Sequence, residues 1–262
     1  STVVIWDAAR ECLLDQIPAG HTAMAPVLSP DEATLYVCNR FNHTISFLDL
    51  ATRTETHRVA VAREPVAAAV TPDGRYLLVA NHLQAGRADV DMAAAVISVL
   101  DTAAGKVAKE IVLPNGSGLV REVRVSPDGK YACVTHILAR FHLPTVVVEE
   151  GWMNCNALTL IDLDRMTPVN TLLLDESNRG AANPWAAAWS DDGARICVTH
   201  AGTHELSVLD VPGILNKLAQ LPPAKPAPKH QRFALYHRPE RWTPAATQDE
   251  VPFDFTFLNG LR

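Results

Sequence analysis

Residues 126–136 read SPDGKYACVTH, a turn phrase followed by an alternating apolar run. The phrase recurs as SPDEATLYVCN from Ser29, TPDGRYLLVAN from Thr71 and SDDGARICVTH from Ser190. Its chemistry is that of a tight turn: Pro presets φ at the first central position, Asp bonds the local backbone, and Gly accepts positive φ. Short Ala/Val-rich runs precede three of the copies, at 66–70, 121–125 and 186–189, so each unit reads strand, turn, strand. A second phrase follows every copy: TISFLDL, AVISVLDT, ALTLIDL and ELSVLDV, with TVVIWD at the start of the chain. Period-two alternation closing on Asp marks a strand running into a turn. A further apolar strand follows at 57–61, 107–113 and 169–174. The repeating unit is four antiparallel strands. The first two copies lie 42 residues apart, inside the roughly 40–45 residues of a propeller blade. The expected fold is all-β, a β-propeller of four-stranded antiparallel blades with about five blades represented.

Composition narrows the class. The 262 residues are 48% hydrophobic and 20% charged, with a formal net charge of −6. Charged or turn residues interrupt every apolar run before the roughly 18 residues a spanning helix needs. Basic residues are scattered, which gives no footprint for nucleic acid. Five cysteines at irregular spacing make no disulfide framework. No Cys-x-x-Cys-His motif occurs, so the chain carries no c-type haem attachment site.

The turn and strand phrases resemble the YVTN-type β-propeller repeats over Thr2 to about Leu221. Two stretches, 134–158 and 183–210, look like the propeller portion associated with bacterial di-haem cytochrome c peroxidase-like proteins. That resemblance implies a periplasmic or cell-surface protein and a protein partner or appended redox domain. The haem motifs of such proteins belong to the other domain, and none is present here to carry over.

The repeat departs from itself in one loop. Second strands end at Asn39, Asn81, His136 and His200, and third strands restart at Thr44, Ala95, Ala157 and Glu205, so the third and fourth blades carry long insertions. These loops open on the same face as the blade-to-blade connections, and function concentrates in loops on a rigid scaffold. The first insertion brings His82, Gln84 and Arg87. The second brings His136, Arg140, His142, Glu149, Glu150, Trp152 and Asn154, while His200 and His204 come from the last copy. Connections add Arg63, Glu64, Arg121, Arg179, Asn183 and Trp185.

Several readings are open for this face. His136 and His200, joined by His142 or His204 and assisted by Glu149 or Glu150, could ligate a metal or haem iron. The His, Arg, Trp and Asn groups could instead line a pocket for a small ligand or for a partner protein's edge. The bland alternative has the strand-end Asn and His residues bonding neighbouring turn backbones. Catalysis is a further alternative, because YVTN-like propellers resemble lactonases and the haem-d domain of nitrite reductases. In that case Arg121 and His136 would pair; otherwise Arg121 and Glu122 form a salt-bridged strand end. No hydrolase elbow or phosphate loop is present. Cys38, Cys133 and Cys197 read as core thiols, and Cys155, inside the insertion, is the cysteine with a functional possibility.

After Asp210, Pro212-Gly213 opens an apolar-periodic piece, 214–221, expected to form helical turns in place of an outer strand. Residues 222–262 hold seven prolines and six aromatics, an extension packed on the propeller or leading into further blades. A seven-bladed ring at the observed spacing needs about 320 residues, more than the 262 present. The remaining strands are expected from chain beyond either end.

Overall fold

The computed structural model describes residues 1–87, 89–90, 92–139, 153–175, 180–220 and 256–257. Among the described residues five sheets follow one another along the chain, with sequential strands paired antiparallel. A hairpin, β1 (Thr2–Asp7) and β2 (Cys12–Pro18), comes first. The second blade is β3 (Ala23–Leu28), β4 (Thr34–Asn39), β5 (Thr44–Asp49) and β6 (Thr54–Ala60). The third is β7 (Pro65–Val70), β8 (Tyr76–Asn81), β9 (Val96–Asp101) and β10 (Lys106–Val112). The fourth is β11 (Ser117–Val125), β12 (Tyr131–Ala139), β13 (Asn154–Asp162) and β14 (Thr167–Leu173). The fifth holds β15 (Pro184–Trp189), β16 (Arg195–His200) and β17 (Glu205–Asp210), and α1 (Val211–Ala219) then follows instead of an outer strand. This is the expected β-propeller architecture. Pro212 at the start of α1 suits the first helical turn, and Val211 and Ile214 bury its inner side. Thr256–Phe257 (β18) pairs parallel with β14; the rest of the expected 222–262 extension lies outside the described residues.

The repeated turn works as its residues predict. In each copy the first hydroxyl donates to the Asp two residues on: Ser29 to Asp31, Thr71 to Asp73, Ser126 to Asp128 and Ser190 to Asp192, all at 2.5–2.6 Å. The same hydroxyl accepts the backbone N–H five residues on, at 2.9–3.0 Å. Hydroxyl and backbone donors hold these four carboxyls below their ordinary range. Gly74, Gly129 and Gly193 take the positive φ, at 68–73°, and Glu32 takes it at 56° in the first copy. Each of these glycines faces the proline ring of the preceding blade's turn, Pro30, Pro72 and Pro127. The turns thus stack from blade to blade on one face of the molecule.

The core lies between blades rather than within one. Tyr36, Cys38, Ile45 and Phe47 of the second blade pack on Ala68, Leu77, Val79 and Leu100 of the third. The third meets the fourth through Ile97, Val99, Val123 and Ile161, and the fourth meets the fifth through Leu158, Leu160, Ile196 and Leu209. Each third strand therefore has two apolar faces, one for each neighbouring blade. At the fifth blade the onward face is bare: Leu206 is 58% exposed, whereas its counterparts Ile45, Ile97 and Leu158 are fully buried. At the first hairpin the opposite face is bare, with Val4 53% and Trp6 57% exposed. The two bare faces are the complementary sides of a blade-to-blade contact.

Candidate site at the channel mouth

The strand ends opposite the stacked turns hold a repeated polar latch. Asn39 donates through Nδ2 to Ser46 Oγ (2.7 Å) and Asn81 to Ser98 Oγ (3.0 Å). His136 Nε2 lies 2.8 Å from Thr159 Oγ1, and His200 Nε2 2.8 Å from Ser207 Oγ. All four hydroxyls occupy the same third-strand position, so one hydrogen bond is repeated with Asn in two blades and His in two. His200 also donates through Nδ1 to the Ala181 carbonyl (2.8 Å). His136 is wholly buried, and burial pushes its pKa down to about 4.

These latches alter the expectations for the histidines. His136 and His200 lie buried within their own blades, each bonded to a hydroxyl. His136 therefore does not pair with Arg121, and His136, His200 and His204 are not gathered into a ligand set. Among the described residues no group of three or more His, Cys, Asp or Glu side chains is placed to hold a metal. His204 sits in a turn at positive φ (57°), the position of His43 (56°) in the second blade. There His43 Nδ1 accepts the N–H of Glu64 from the next connection (3.0 Å). His204 borders a groove of about 430 Å³ shared with Trp185, Thr199 and Glu205, on the bare side of the fifth blade.

The other expected residues divide plainly. His82 is buried, donates through Nδ1 to the Val120 carbonyl (2.9 Å), and so ties the third blade to the fourth. Desolvation, with the charges of Arg121 and Arg40 behind it, lowers its pKa. Asn183 adopts φ 56° just before β15, with its N–H on Asn156 Oδ1 (3.0 Å). Asn154 is exposed at the start of β13, opposite Ala139. Arg140, His142, Glu149, Glu150, Trp152 and Arg179 lie outside the described residues. Cys155 is buried with Leu138, Ala157 and Leu173, a core position.

Arg121 is the centre of what the structure brings together. It occupies the inner-strand position held by Met24, Val66 and Trp185 in the other blades. Its guanidinium lies 4.3 Å from the centroid of the Trp185 ring, which is 50% exposed. Glu122 pairs with Arg124 at 3.2 Å, not with Arg121, and burial raises the Glu122 pKa. Beside Arg121 stands Arg40, whose Nη2 is 2.9 Å from Glu64 Oε2 and whose guanidinium lies 5.0 Å from the centroid of exposed Phe41. Burial, then the charge of Arg40, lowers the Arg121 pKa. Arg40 and Phe41 were not singled out from sequence. The signal was present: Arg40 follows Asn39 as His82 follows Asn81.

The bulge in each inner strand shapes this mouth. Pairing slips between Met24 and Val27, Pro65 and Ala67, Gly118 and Glu122, and Pro184 and Ala187. Bulges re-aim side chains at sheet rims, and here they turn Arg121 and Trp185 toward each other. The result is two arginines, each against an exposed aromatic ring, of which Arg40 also holds the Glu64 carboxylate. Arg–aromatic surfaces of this kind anchor partners.

The family model of YNCE-like β-propellers matches residues 2–135. Hydrazine synthase subunit beta of Kuenenia stuttgartiensis is 30% identical over 149 residues, 56% of this chain and 36% of that subunit. The match thus spans about a third of the relative's length. A chain of the solved Kuenenia stuttgartiensis hydrazine synthase superposes with a TM-score of 0.57 at 21% identity, over 84% of this chain and 74% of that one. That likeness is one of fold. Among the described residues no helix is long and apolar enough to cross a membrane.

Proposed function

We propose that this chain, which belongs to the YNCE-like β-propeller family, is a recognition and scaffold module that binds a protein partner at its channel mouth. The observation that carries this reading is the pair of aromatic-backed arginines, Arg40 on Phe41 and Arg121 on Trp185. Half-buried Arg side chains set against exposed Trp185 and Phe41 combine residue types that dominate interface energetics. Among the described residues the strand-end histidines, His136 and His200, serve the scaffold, which favours binding over acid–base work at the mouth.

The relative's name supports an assembly role: it is a subunit of a synthase. For this chain the fitting partner is a redox polypeptide, such as the di-haem peroxidase-like domain implied by the sequence resemblance, in a periplasmic or cell-surface setting. The two bare blade faces, at Val4 and Trp6 and at Leu206 and Val208, fit further blades of the same propeller. The test is size-exclusion chromatography with cross-linking of the tagged protein from its native host. A complex larger than the chain, cross-linked through the mouth and lost in the Arg121→Ala, Trp185→Ala variant, supports the reading. A complex that persists in that variant, or a monomer in the native host, overturns it.

A further inference from the structure

The geometry points to Arg121 as a carboxylate anchor: Trp185 backs one face of its guanidinium, leaving its N–H edges to grip a planar carboxylate at the channel mouth. This rests on the reading of the mouth as the recognition site and names the chemistry recognised there. A guanidinium presents five donors in a fixed fork that matches a carboxylate bidentately. Among the described residues no hydrogen bond or ion pair holds Arg121, whose contact is the Trp185 ring at 4.3 Å. The neighbouring charge balance favours an anion. Arg40 already engages the Glu64 carboxylate through both Nε (3.1 Å) and Nη2 (2.9 Å). Glu122, the adjacent acid in sequence, is taken by Arg124. Among the described residues Arg121 is thus a cation of this face whose guanidinium has no carboxylate partner.

The stack has a further consequence. Its ring partner stands on a tethered backbone, because Trp185 lies on an inner strand and its carbonyl accepts the Thr135 hydroxyl of the fourth blade (3.2 Å). A guanidinium held against such a ring loses less freedom on binding, which raises affinity without adding contacts. The chain as a whole carries −6, so attraction for an anion is local to this mouth and falls with salt. The carboxylate can belong to a free small acid or to an Asp or Glu side chain of the docking protein; both present the same group.

Two probes separate the sources: succinate, and a capped Asp-Glu-Asp-Glu tetrapeptide amide, each titrated calorimetrically into the full chain. Variants are Arg121→Gln, Arg121→Lys, which keeps the charge but loses the fork, and Arg75→Gln on the opposite face. Binding of either probe that weakens at least tenfold in Arg121→Gln and severalfold in Arg121→Lys, with Arg75→Gln unchanged, supports the assignment. The probe that binds names the source. No binding of either probe, or binding indifferent to Arg121→Gln while circular dichroism shows a folded chain, overturns it. If native assembly requires Arg121 but neither carboxylate binds, this assignment falls and the recognition reading stands. If carboxylate binds and assembly ignores Arg121, the reverse holds.

Discussion

Arg121 and Trp185 occupy the same inner-strand position in neighbouring blades, yet their side chains meet, the guanidinium carbon lying over the ring at 4.3 Å from its centroid. At the equivalent position the second and third blades place Met24 and Val66, which can only pack. One ring of four aligned positions thus holds two that fill space and two that can recognise. The change of residue type is confined to the fourth and fifth blades.

The left-handed position of the turn predicts a stabilising substitution. Glu32 holds φ 56° where the later turns use glycine, and a non-glycine residue pays roughly 1–2 kcal/mol there. Glu32→Gly relieves that strain but adds unfolded-chain entropy of roughly 0.5–1 kcal/mol. The net expectation is a gain of about 0.5–1 kcal/mol, or a rise of about 1–4 °C in Tm, read by thermal unfolding. Gly74→Ala in the next turn should lower Tm, because it imposes φ 73° on a side chain whose Cβ meets Pro30 at 3.4 Å.

His136 predicts a pH dependence with a definite sign. Its folded pKa is about 4 against an ordinary 6.5, because burial disfavours the imidazolium. The unfolded chain takes up the proton first, so the stability from neutral His136 is complete above about pH 6.5 and drains away as pH falls toward 4. Between those values the loss approaches about 1.4 kcal/mol per pH unit. Denaturant titrations at pH 7.5, 6 and 5 should show it. His136→Asn, the residue used by the second and third blades, should flatten the profile; an equally steep profile in that variant would refute the assignment.

Thiol reactivity should sort by burial. Burial pushes the thiols of Cys38 and Cys133 up to about 12, while Cys12 is exposed on the first hairpin. A thiolate-dependent reagent at pH 8 should label Cys12 on the folded protein and reach Cys38 and Cys133 only after unfolding. Rapid native labelling of either buried thiol, located by peptide mapping, would contradict the blade packing.

The blades were legible because their turns explain themselves. Ser-Pro-Asp-Gly dictates hydroxyl, carboxylate and left-handed backbone within four residues, with no help from tertiary structure. The Asp that closes each third strand is equally local: Asp49 accepts the Thr52 N–H and Asp101 the Ala104 N–H. The site was legible only in part. The latch of His200 on Ser207 has the same seven-residue offset as Asn39 to Ser46 and was legible in the repeat, whereas the long insertion hides the latch of His136 on Thr159. The stack of Arg121 on Trp185 depends on bulges in two inner strands, and a bulge leaves no clear mark in an alternating pattern. Arg40 escaped notice because its loop is short and only its alignment with His82 marks it.

Arg121 and Trp185 form the proposed partner contact at the mouth. The most direct measurement is the mass of the complex isolated from the native host, by light scattering on the eluted peak, for the unaltered chain and for Arg121→Ala, Trp185→Ala. The account predicts a mass well above the 28.5 kDa of the chain for the first. For the second it predicts a fall to the mass of the propeller alone, with an unchanged circular dichroism spectrum. An undiminished complex in the doubly substituted protein would contradict it.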